Sequence, residues 1–242
     1  MTFPPYVYQA MRVAAKTATQ VPILGPLWLP DAKAAGSRLM PPGWTFAATV
    51  QAAPTRYQMN FWLEAHALAA NSPKVVQDSG DPSVTPIATV SGQRYHTSSE
   101  AARAVMQNND NGDLRFAKIP KTAHRISIAP ETPGWVWRQT SATGSKSLMI
   151  AWHERGWLIE TDPSFVPAYE TAVSFARHLV PKVMAPMPGR TGTITIAVAA
   201  DGQHTTATWQ RGKIAYSVFA DYGVSSATTV ISSLYPASSR PT

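Results

Sequence analysis

The sequence predicts an α+β protein: antiparallel sheet, in one piece or two, built from repeated hairpin–helix units with the helices packed on one side. Three observations lead there. Short segments of alternating apolar and polar residues recur, bounded by Gly, Pro, Asn and Asp. These segments come in runs that end in a helix, not in strict strand–helix alternation. Finally, residues 148–236 read as one unit written twice. The first copy (150–181) runs Ile150-Ala151-Trp152, turns through His153-Glu154-Arg155-Gly156, and continues as Trp157-Leu158-Ile159-Glu160 into a helical run closing at Leu179-Val180-Pro181. The second (207–236) runs Ala207-Thr208-Trp209, turns through Gln210-Arg211-Gly212, and continues as Lys213-Ile214-Ala215-Tyr216 into a helical run closing at Leu234-Tyr235-Pro236.

Taken in order, residues 5–19 form a helix with Pro5 in its first turn and Tyr6, Ala10, Val13 and Ala14 on one face. Pro22, Pro26 and Pro30 keep the next strip extended, and Ile23, Leu24, Leu27, Trp28 and Leu29 make it apolar enough to lie on the core. A hairpin follows around Ala53-Pro54-Thr55, its second strand alternating Tyr57, Met59, Phe61 and Leu63 with Gln58, Asn60 and Glu64. Trp62 breaks that alternation. A short strand pair is expected about Ser91-Gly92, then a helix opened by the capping box Thr97-Ser98-Ser99-Glu100 and running to Gln107. Residues 125–129, 135–140, 148–152 and 157–161 read as a meander, followed by a helix over 167–179. Strands over 193–199, 205–209 and 213–219 precede a last helix over 224–234. Two parts suggest themselves: 1–120, with the first helix, the Pro-rich strip and a hairpin–helix subdomain, and 121–242, with the meander and the two repeats. One domain holding both is the alternative.

Composition narrows the function classes. With 44% hydrophobic residues the chain is globular, yet only 14% are charged, against roughly 25% in ordinary soluble domains. The net charge of +7 comes from few acids (14) rather than many bases (21), and the bases are spread. The densest group is Arg115, Lys118, Lys121 and Arg125. Such a surface fits weak attraction to anionic wall polymers rather than specific nucleic-acid binding, or simply a solvated basic face. The absence of Cys excludes disulfides and thiolate chemistry. No run approaches a membrane span, and no signal peptide is visible; an exported form would have had its signal removed before Met1. Low charge with abundant Ser, Thr and Ala points to an extracellular or cell-surface location.

Sites are few. Phosphate-loop, dinucleotide and nucleophile-elbow motifs are missing, and the six His have no metal-ligand spacing. No cofactor is expected. The run Asn108-Asn109-Asp110-Asn111-Gly112-Asp113 evokes a calcium loop, but Lys118 stands where a bidentate Glu belongs, so it reads as a turn and no metal site is expected. His153 and Glu154 are the nominees for proton transfer. Their counterparts in the second copy, Gln210 and Arg211, keep the turn without either group, which favours a structural reading. Glu160 with Asp162, and Asp110 with Asp113, read as solvated ends of elements. Trp135 and Trp137 share a sheet face and are nominees for a ligand platform; the competing reading, for them and for Trp152, Trp157 and Trp209, is core.

The phrase Ile150-Ala151-Trp152 … Gly156-Trp157-Leu158-Ile159, with the helix to Leu179 and Pro181, resembles uncharacterised secreted or cell-envelope proteins of Gram-positive spore-forming bacteria. The opening Val21-Pro22-Ile23-Leu24 … Trp28-Leu29-Pro30 is also similar. The resemblance implies an envelope location and brings no activity or catalytic residue with it. The resulting expectation is a non-enzymatic extracellular binding or structural protein. Alternatives are a subunit of an ordered extracellular assembly, through self-association or contact with other surface proteins, and a hydrolase using a spatial His–carboxylate pair.

Overall fold

Strand pairing brings distant parts of the chain together in a computed structural model that describes residues 3–29, 45–77, 86–107, 119–140, 146–162, 169–183, 192–199, 202–220 and 223–236. The elements are α1 (Pro5–Thr17), β1 (Leu24–Pro26), β2 (Thr45–Ala53), β3 (Arg56–Glu64), a single turn α2 (Lys74–Gln77), β4 (Ala88–Arg94), α3 (Ser98–Gln107), β5 (His124–Ala129), β6 (Thr132–Thr140), β7 (Lys146–Glu154), β8 (Trp157–Asp162), α4 (Tyr169–Val183), β9 (Gly192–Ala199), β10 (Gly202–Arg211), β11 (Ile214–Ala220), α5 (Gly223–Ser232) and β12 (Leu234–Pro236). The protein is mixed α and β and mostly sheet. Ten strands form one sheet in the order β2-β3-β4-β11-β10-β9-β8-β7-β6-β5, and β1 pairs with β12 apart from it. Its neighbours are antiparallel except β8 and β9, which run parallel. Helix α4 connects those two, as a parallel pair requires a crossover.

Alternation sorts the strands' side chains onto two faces. On one, which we call the core face, lie Val50, Met59, Phe61, Val90, Val218, Tyr216, Ala207, Trp209, Ile194, Ile159, Trp157, Trp152 and Ile150, in one buried cluster with Val7, Ala10, Met11 and Ala14 of α1, Ala172, Ala176 and Leu179 of α4, and Val230 and Ile231 of α5. Burying a side chain of this kind is worth about 1.5–3 kcal/mol. Against this face lies the Pro-rich strip. Leu24 N–H donates to Tyr57 Oη at 3.0 Å, Tyr216 Oη donates to the Pro22 carbonyl at 3.5 Å, and Leu24 sits opposite Pro236 in the β1–β12 pair. The expected docking of this strip on the core is seen, with the C-terminal segment as its partner.

The opposite face carries α3. Thr208 Oγ1 donates to the Val105 carbonyl at 2.9 Å, and Thr193 Oγ1 lies 3.4 Å from the same oxygen. Both threonines alternate with core-face Trp209 and Ile194, so α3 lies across the sheet from α1, α4 and α5. Helices on one side only was therefore the wrong expectation, because Ala101 and Val105 of α3 are buried on the second face. The capping box forms as read: Glu100 N–H donates to Thr97 Oγ1 at 3.1 Å, and Thr97 N–H to Glu100 Oε2 at 3.2 Å.

Four further expectations are corrected. Ser91-Gly92 is no turn but the middle of β4, because a Cβ at Gly92 would stand 2.7 Å from the Tyr57 ring and 3.1 Å from that of Tyr216. The glycine makes room for two aromatic rings. Helix α4 runs past Pro181 to Val183, since proline's fixed φ suits a helix even though its missing N–H costs a bond. Residues 234–236 leave helix to become β12. Lastly, β4 pairs with β11 from Arg94↔Ile214 to Ala88↔Ala220, so a division at residue 120 separates neighbouring strands of one sheet.

Candidate functional site

Small polar residues line up across the α3 face because successive strands bring them into register. Gln51 pairs with Gln58, Gln58 with Ser91, Ser91 with Ser217, Ser217 with Thr208, and Thr208 with Thr193. Six adjacent strands thus each place a hydroxyl or a carboxamide at one level, at the roughly 4.8 Å step between strands. Sequence alternation marks each as polar-face, but only the register makes them a row.

A cleft of about 350 Å³ opens over this row. Its lining includes Gln51, Gln58, Ser91, Ser217 and Thr208, with Val105 of α3, Arg56, Gln93 and Tyr95 beside them. Thr208 is already bonded, to Val105 and, at 2.7 Å, to Thr193. Ser217 differs. It is 4% exposed and its Oγ has no hydrogen-bond partner among the described residues. A buried orphan hydroxyl costs about 1–3 kcal/mol unless something satisfies it, and its O–H turns freely about the Cβ–Oγ bond to meet a partner. Burial also pushes the Tyr95 phenol above its ordinary range, keeping it a neutral donor and acceptor. Arg56 is exposed and is the one charged residue in the described lining.

A second polar feature lies farther along the same face. Glu160 stands between Ala151 of β7 and Thr195 of β9, 1% exposed, with Oε1 unpartnered among the described residues. Burial pushes its carboxyl up to about 8. It is buried, not the solvated strand end expected; the side chain of Asp162 lies outside the described residues. Beside Glu160, Trp137, Met149 and Ala151 form a small apolar cluster with Ile119, Ala123, Trp135 and Leu158 packed against it.

The earlier nominees do not assemble. His153 and Glu154 end β7 rather than sit in the turn, which is Arg155–Gly156 with φ of 47° and 88°. Consecutive strand residues point to opposite faces, so the pair does not converge. The His153 ring meets Trp135 edge-on at 5.5 Å, while Glu154 Oε1 lies 3.4 Å from Arg155 Nε. Trp135 and Trp137 do share a face, but Trp137 is buried and Trp135 half-buried. Trp152, Trp157 and Trp209 are buried in the core on the other face. Asp110, Asp113, Arg115 and Lys118 lie outside the described residues; Lys121 and Arg125 are exposed. Among the described residues no group of three or more His, Asp or Glu is placed to hold a metal ion, and no helix is long and apolar enough to cross a membrane. Comparisons with protein-family models, curated proteins and solved structures find no match.

Proposed function

We propose that this chain is a non-enzymatic binding protein of the cell surface whose polar cleft, between α3 and the sheet, holds a small hydrogen-bonding ligand. One observation carries the reading: Ser217, buried in the cleft floor, has a hydroxyl with no partner among the described residues. A bound ligand would supply that partner. The cell-surface part rests on the low charge and on the resemblance to envelope proteins.

The two hairpin–helix units, β7–β8–α4 and β10–β11–α5, serve this reading as scaffold. Each turns through an Arg-Gly pair or its neighbour in a left-handed conformation, at Arg155–Gly156 and at Gly212. Each also buries a Trp in the core, Trp152 and Trp209. Assembly into filaments by strand addition draws less support, because the outer strand β2 is already bonded at Ala48 and Val50. A hydrolase built on His153 and Glu154 would need two side chains that point apart.

The test is amide chemical-shift mapping with a library of small polar fragments, together with mass spectrometry of whatever co-purifies with native protein. Perturbations should gather on Gln58, Ser91 and Ser217. Shifts confined to other surfaces would reject the cleft.

A further inference from the structure

Resting on the binding reading above, we infer that the cleft's ligand is a neutral polyhydroxylated molecule of saccharide type. The argument is one of chemical matching. Hydroxyls at Ser91, Ser217 and Tyr95 and carboxamides at Gln51, Gln58 and Gln93 can each both donate and accept. A sugar hydroxyl has the same dual character, so either polarity of contact is satisfied. An anion lowered onto this floor would lose its hydration with no buried cation opposite it, Arg56 being exposed at the side. An apolar ligand would seal Ser217 and Ser91 without partners. The size fits as well: about 350 Å³ lies at the low end of small-molecule pockets, which run from roughly 300 to 1,000 Å³.

Geometry adds a second strand of support. The row from Gln51 to Ser217 advances one strand at a time, and that step is comparable to the span of one pyranose ring. Successive rings laid across the strands would meet a fresh hydroxyl or carboxamide at each step. Tyr95, half-buried beside the row, offers a ring face against which a sugar's C–H surface can rest.

Isothermal titration with cellobiose, glucuronate, inorganic phosphate and dodecanoate, backed by shift mapping, tests the assignment on wild type and on Ser217→Ala, Gln58→Ala and Arg56→Ala. Cellobiose should bind with shifts in the cleft, weakened about two- to tenfold by Ser217→Ala and by Gln58→Ala, the worth of one net hydrogen bond. Arg56→Ala should change affinity less than about twofold, as for an exposed charge facing a neutral ligand. Gln58 is exposed, so Gln58→Ala should melt as wild type does, and Ser217→Ala, which removes a buried orphan hydroxyl, should melt no lower than wild type. Glucuronate or phosphate binding in the cleft more tightly than cellobiose, and lost in Arg56→Ala, would overturn the neutral class while leaving a binding protein. Dodecanoate shifts in the cleft without cellobiose shifts would overturn it likewise. No probe shifting Gln58, Ser91 or Ser217 would overturn the class and the binding reading together.

Discussion

Asn71 lies against Val50 as a neighbouring strand would. Its Oδ1 accepts from Val50 N–H, its Nδ2 donates to the Val50 carbonyl at 3.2 Å, and its own N–H reaches the Ala48 carbonyl at 2.9 Å. β2 is an end strand of the ten-stranded sheet, and an open edge is a template for another chain. Asn71 holds a φ of 62°, a conformation Asn tolerates better than most residues. Asn71→Gly keeps that backbone and deletes both side-chain bonds. We expect a loss of about 1–2 kcal/mol and concentration-dependent association by light scattering. An Asn71→Gly protein that stays monomeric as concentration rises would show that other features guard the edge.

The buried carboxyl of Glu160 makes stability depend on pH. Its folded pKa is raised to about 8 from 4.5 by burial, so the unfolded chain ionises first. Unfolding then releases a proton anywhere between those values. Relative to Glu160→Gln, wild type should match the variant in acid, lose stability steadily as pH rises through that window, and level off above it, several kcal/mol behind. Urea unfolding of both proteins across the window measures the difference. A constant gap would mean that Glu160 titrates normally.

These two residues show where sequence reading succeeds and stops. Local chemistry was legible: the capping box at Thr97 and Glu100, the hairpin around Pro54, and the alternation from Tyr57 to Phe61 stand as read, whereas at the strand's end Leu63 is half-buried and Glu64 is buried. Long-range register was not. Gly92 has the local signature of a turn, and only the rings of Tyr57 and Tyr216 explain it. Glu160 reads as a polar strand end because nothing nearby in sequence shows that its face is covered. The row through Ser91 and Ser217 joins residues far apart in the chain, so no single segment contains its signal. His153 and Glu154 were attractive as neighbours, and strand geometry parts them.

Helix α3 walls the cleft, so weakening its cap should loosen the site without dismantling the core. Thr97→Ala removes the oxygen that receives Glu100 N–H, a loss of about 1 kcal/mol. Hydrogen exchange should accelerate in α3 while β3 and β7 keep wild-type protection. Uniform acceleration would mean that α3 folds as one unit with the sheet.

Two glycines should fail for different reasons. At Gly192 a Cβ would stand 2.4 Å from the Thr208 carbonyl oxygen and 2.5 Å from the Trp157 ring. The oxygen belongs to the neighbouring strand and cannot swing aside. Trp157 is buried beside Trp209, centroids 6.3 Å apart, which leaves the ring little room. Gly192→Ala should therefore cost about 1–3 kcal/mol by overpacking, and no choice of side chain should restore it. At Gly212 a Cβ would touch nothing, but φ is +60°. There Gly212→Ala should lose about 1 kcal/mol through backbone strain alone, and Gly212→Asn should recover much of it. Thermal unfolding of the three variants separates the cases. If Gly192→Ala melts with wild type, the close approach of β9 to β10 and Trp157 does not exclude a side chain there.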